Sequence, residues 1–166
     1  MSPEGSDPID ETIDPDPSHR LPAWHHLPVN RYNPHAWIIG DPSIGGDVWI
    51  GAFTVIDGSG GLTIGRGCDI SAGAQIYTHS TVRRVLSEGH AEIDRRPTTI
   101  GQYVHVGANA TILMGCQIGN HVSIGAGAVL KEGMIVPDWS VVVGVPARIL
   151  LNGQARLFPT RLLESD

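Results

Sequence analysis

The feature that most constrains this chain is a spacing of six. In the second half Ile100, Val106, Ile112, Ile118, Ile124, Leu130, Val136 and Val142 recur without a break. In the first half Ile38, Ile44, Ile50 and Ile56 do the same. After a two-residue slip at "GSGG" the series resumes with Ile64, Ile70, Ile76 and Val82. Gly often follows directly, as at Gly45, Gly51, Gly65, Gly119 and Gly125. Four residues after each aliphatic stands a small or branched one, such as Thr54, Cys68, Ala74, Ala110, Cys116 or Ala128. A helix repeats about every 3.6 residues and a strand every 2, so neither produces a strict six. A short fixed period marks a stacked solenoid.

Each hexad is then one short strand and a corner. The aliphatic points inward, the small residue fits the tight interior by the turn, and Gly gives the corner its backbone freedom. Three hexads close a coil of 18 residues, and parallel strands stack coils roughly 4.8 Å apart. About fifteen hexads make about five coils, above the minimum of about three that such a stack needs. Cys68 and Cys116 fall at the small inward position, so they read as small hydrophobes and not as a redox or metal pair.

Composition agrees. The 166 residues include 21 Gly, 41% are hydrophobic and only 5% are aromatic, which suits short aliphatic strands with tight corners. The net charge of −6 comes from one place: Glu4, Asp7, Asp10, Glu11, Asp14 and Asp16 crowd the first 18 residues, which hold no Lys or Arg. That stretch reads as a disordered acidic tail (1–18), followed by an N-terminal arm or cap (19–37). The body is neutral, so no nucleic-acid or polybasic membrane surface is expected. No apolar run is long enough to span a bilayer and no signal peptide is apparent, so a cytoplasmic location with no membrane insertion is the expectation.

The period breaks once. "VRRVLSEGHAEIDRRPTT" (82–99) puts Arg84, Glu88 and Asp94 where small or aliphatic residues belong, and the phase resumes at Ile100. This stretch is predicted to be a loop thrown out of the solenoid, and loops on rigid scaffolds are where function sits. His79 stands at its entrance.

The residues "IGDPSIGGDVWIGAF", "IGNHVSIGAGAVL" and "VVVGVPARI" resemble the hexapeptide-repeat acyltransferases, over roughly residues 34–150. Within that family the chain looks most like the short sugar O- and N-acetyltransferases. The resemblance implies an all-β fold: a left-handed parallel β-helix (38–147) of about five coils with the 82–99 excursion. A short C-terminal helix or cap (148–166) follows. It also implies a homotrimer with acyl-CoA clefts between subunits, acetyl-CoA as co-substrate, a small-molecule sugar acceptor and no metal.

The resemblance also implies roles. "YTHST" matches the place of the family's catalytic histidine, so His79 becomes the general base, a role imidazole fills at neutral pH. "VHVGANA" matches the segment that offers a backbone N–H to the reaction's oxyanion, which maps to Ala108. Ala108, Ala126 and Gly127 would line the pantetheine channel, with Lys131 and Arg148 near the CoA phosphates. Asn109 would contact the acceptor. His105 stands where many relatives carry Trp, and is either an acceptor contact or a solvent-facing turn residue. Arg83 and Arg84 suit a phosphate of the acceptor, but Glu88, Glu92 and Asp94 beside them suit internal ion pairing equally.

Two other readings share the fold. A γ-type carbonic anhydrase needs zinc-binding histidines where this chain has Asn109 and Met114, which cannot replace imidazole there. A non-catalytic β-helix scaffold needs neither base nor loop.

Overall fold

A computed structural model describes residues 31–150; the expected acidic tail, most of the arm and residues 151–166 of the cap lie outside it. The hexads form three parallel sheets, one per face of a triangular prism, with five parallel strands on each. The first face stacks Trp37–Ile39, Val55–Asp57, Gln75–Ile76, Thr111–Ile112 and Val129–Leu130. The second stacks Ser43–Ile44, Leu62–Ile64, Thr98–Ile100, Gln117–Ile118 and Ile135–Val136. The third runs from Trp49–Ile50 to Val141–Val143 and ends in Arg148–Leu150, an antiparallel strand that covers Val141–Val143. The cap therefore begins as a strand.

The inward aliphatics make the core. Ile56, Ile76, Ile112 and Leu130 are fully buried on the first face, as are Ile70, Val106, Ile124 and Val142 on the third. Free Cys68 and Cys116 lie in that core, where burial pushes both thiols up. Coils approach so closely at the corners that a side chain is sometimes impossible. A Cβ on Gly107 would lie 2.5 Å from the Ala126 nitrogen. At the edge between the second and third faces, Tyr103, His121 and Trp139 turn the corner with φ of 54°, 56° and 64°. The left-handed conformation is costly for such residues. Their rings stack from coil to coil, with centroids 5.2 and 4.0 Å apart, which offsets part of that cost.

Register explains both irregularities. Most coils pair at an offset of 18, as in Ile112 with Leu130 and Ile124 with Val142. Across "GSGG" the offset is 20, as in Ile56 with Ile76. Across the excursion it is 36, as in Ile64 with Ile100 and Ile76 with Ile112. The excursion thus removes one coil's worth of chain and returns it in phase.

Its limits differ from the sequence expectation of 82–99. Thr98 is fully buried and Thr98–Ile100 is already solenoid strand, so the excursion ends at Pro97. It leaves the prism before Val82: His79–Ser80 pairs antiparallel with Asp94–Arg95, closing its neck. Val82, which continued the period of six, starts a short exposed helix, Val82–Leu86. No helix among the described residues is long and apolar enough to cross a membrane.

Candidate active site

The excursion and the "GSGG" slip occur at the same edge of the prism, between the first and second faces, one coil apart. An offset of 20 sets residues 57–60 beside 77–80. Asp57, at the end of its strand, is fully buried. Its carboxylate accepts the Ser59 N–H (2.9 Å), the Thr78 N–H (2.9 Å) and, at 2.6 Å, the Nδ1–H of His79. The Thr78 hydroxyl lies within 3.0 Å of the same carboxylate and accepts the Gly60 N–H. Burial pushes the Asp57 carboxyl up, but the hydrogen bonds from Ser59, Thr78 and His79 outweigh it and hold the group well below the usual carboxylate range.

An ionised carboxylate only accepts, so Nδ1 of His79 carries the proton of this bond and Nε2 is the ring nitrogen left free of Asp57. This pairing orients the imidazole, the arrangement a carboxylate provides for a histidine base. The His79 side chain is about one-third exposed (33%).

His79 faces a cavity of about 350 Å³. Tyr77, Ser80, Thr81 and Val82 wall it on the excursion side. Leu113, Met114 and Glu132 wall it from later coils. The Tyr77 ring meets His79 edge-on and its hydroxyl bonds Gln75. Arg96 leaves the excursion's neck, donates its N–H to the Thr78 carbonyl and forms an ion pair with Glu132.

The other residues singled out in the sequence divide between edges. Lys131 lies on the His79 edge, next to Glu132. Arg83 bonds Asp94 at 3.1 Å and Arg84 bonds the Gly89 carbonyl at 3.3 Å, both within the excursion. Ala108, Asn109, Ala126 and Gly127 turn the edge between the third and first faces, which the first face separates from His79. One chain does not bring the two groups together. The Ala108 N–H has no acceptor among the described residues, and the same holds for Ala72 and Ala126 at equivalent corners. A free donor is a property of that corner and recurs in every coil. The Asn109 side-chain oxygen packs over Gly73. His105 sits on the third face, 3.5 Å from Asp69, and Arg148 is exposed in the closing strand. Among the described residues no three His, Cys, Asp or Glu side chains converge as a metal site.

Asp57, Ser59 and Thr78 were not singled out by sequence reasoning. A signal existed: Asp57 is an acid directly after an inward aliphatic, where Gly is usual, and the slip beside it carries Ser59 under His79.

Stacked hexads interrupted at one edge, where His79 is paired with buried Asp57, define a hexapeptide-repeat solenoid with a candidate site. The bacterial transferase hexapeptide model (six repeats) matches residues 97–132, and the hexapeptide repeat of succinyl-transferase matches 43–78. The chain belongs to the hexapeptide-repeat acyltransferase family. A serine acetyltransferase of Staphylococcus aureus is 33% identical over 111 residues, covering 67% of this chain and 49% of that protein. The chain spans about half the length of the curated relatives it matches. A Vibrio cholerae acetyltransferase solved with acetyl coenzyme A is 32% identical, with TM-score 0.57, over 66% of this chain and 59% of that one. AntD, a Bacillus cereus N-acyltransferase solved with dTDP and 3-hydroxybutyryl-CoA, shares the fold. Its TM-score is 0.65 over 80% of this chain and 73% of that one, at 21% identity.

Proposed function

We propose that this protein transfers an acetyl group from acetyl-CoA to a hydroxyl or amino group of a sugar, with His79 as general base. One observation carries the reading: His79 donates Nδ1–H to the buried, ionised Asp57 and lines a cavity of about 350 Å³. In this reading Nε2 takes the acceptor's proton as its oxygen or nitrogen attacks the thioester carbonyl, and the proton then passes to the departing thiolate. The imidazolium formed in between is stabilised by Asp57.

The reading needs a second subunit. An oxyanion donor at Ala108 and small channel residues at Ala126 and Gly127 turn a different edge from His79. A homotrimer would lay the His79 edge of one subunit, with Lys131, against the Ala108 edge of the next. The outward residues of the intervening face support this: Val55, Gln75, Thr111 and Val129 carry no charge and are each already partly buried in a single chain. Arg148, exposed at the end of the solenoid, would then meet a CoA phosphate. His105 and Asn109 would contact the acceptor from the neighbour's side.

The fit to acetyl-CoA is supported by the Vibrio cholerae relative, solved with that ligand. A sugar acceptor is supported by a cavity that mixes hydroxyls with apolar walls. Calorimetric titration of the protein with acetyl-CoA tests the reading: micromolar binding near one site per subunit is expected, and no binding would overturn it.

A further inference from the structure

Resting on the acyl-transfer reading, we propose that Glu132 is a specificity-determining residue. It makes the cavity beside His79 a site for uncharged acceptors and turns away those with an anionic group near the reacting atom.

The charges around the cavity carry the argument. Among the described residues that wall it, Glu132 is the only Asp, Glu, Lys or Arg. Behind His79 lies a second carboxylate, Asp57, fully buried and held ionised by its hydrogen bonds. Three cations of this edge are engaged elsewhere. Arg96 is spent on Glu132 itself and lies across the corner at Gly115 and Gly133. Arg83 is paired with Asp94, and Arg84 with the Gly89 carbonyl. Arg95 and Lys131 stand on the same edge but outside the cavity wall. An anion entering here would give up water, meet no unpaired cation among the described wall residues and compete with Glu132 for Arg96, a discrimination of at least about tenfold at short range.

A polyol meets the opposite situation. The Glu132 carboxylate and the hydroxyls of Ser80 and Thr81 can accept from its hydroxyls, while Val82, Leu113 and Met114 give its C–H faces an apolar wall. Arg96 fixes Glu132 at one end and, through its N–H, the Thr78 carbonyl next to His79 at the other. The specificity wall and the base therefore share one frame.

The test uses acceptors matched except for charge: methyl glucuronamide against methyl glucuronate, and N-acetylserinamide against N-acetylserine. Thiol release from acetyl-CoA by the full chain is the readout. The neutral member of each pair is expected to have the higher kcat/KM, by at least about tenfold. Glu132→Gln should shrink that preference mainly through KM, and Glu132→Lys should reverse it. A melting curve and acetyl-CoA titration of each variant check the fold, and Glu132→Gln suffices where Glu132→Lys does not fold. A wild-type preference for the anionic members, or variants that slow both members by one factor, would overturn the proposal. Acetyl-CoA binding without turnover of any acceptor would instead strike the acyl-transfer reading, and this inference would fall with it.

Discussion

In the proposed reaction His79 works as a base through what it leans on, and that is Asp57. Two of the network's members could have been found from the chain, since the slip at "GSGG" moves residues 57 and 59 into step with 77 and 79. What the period could not tell was that Asp57 turns inward, because the pattern predicts which positions are apolar and not what a corner does with an acid. Replacing Asp57 with Asn frees the imidazole tautomer, so turnover should fall by at least about tenfold with little change in acetyl-CoA binding. The same carboxyl shapes acid stability. Its pKa in the folded chain lies below its ordinary 3.8. Its contribution is therefore complete above about pH 5 and is lost as pH falls through the ordinary value toward the folded one. Urea midpoints between pH 5 and pH 3 should drop more steeply for the wild type than for Asp57→Asn.

Strands and corners were almost wholly readable, because a period of six admits one stacked solution and every inward aliphatic from Ile50 to Val142 does enter the core. Val82 is the instructive exception. It is apolar and in phase, yet 60% exposed, because the His79–Ser80 ladder with Asp94–Arg95 has already drawn the chain off the prism. Local spacing carries no information about such a long-range pairing. Two consequences belong to this scale. Ile112→Ala empties a fully buried rung and should cost about 2–5 kcal/mol in chemical denaturation. Deleting residues 79–96 leaves Ile76 and Ile100 one hexad apart, so the protein should still fold by circular dichroism while acetyl transfer is abolished. Loss of the fold would show that the excursion supports the solenoid and does not merely interrupt it.

At the scale of the molecule, the prism separates two sets of residues that the proposed chemistry needs together. Sequence resemblance joined His79, Ala108 and Gly127 into one site, but one chain holds them on different edges with a face between. A shared site has a direct consequence. His79→Ala and Ala108→Pro, the latter removing the N–H at a turn position that tolerates Pro, should each be nearly inactive as pure proteins. Mixed after unfolding and refolded together, they should recover part of the activity, because some interfaces then pair an intact base with an intact donor. No recovery would place the whole site within one subunit.

The central claim is that His79 performs the proton transfer, and it is most directly tested by single-turnover acetyl transfer in His79→Ala beside its acetyl-CoA affinity. The account predicts affinity within a few-fold of wild type and a rate at least about a hundredfold lower. A variant that binds acetyl-CoA and still turns over at a near-normal rate would contradict it.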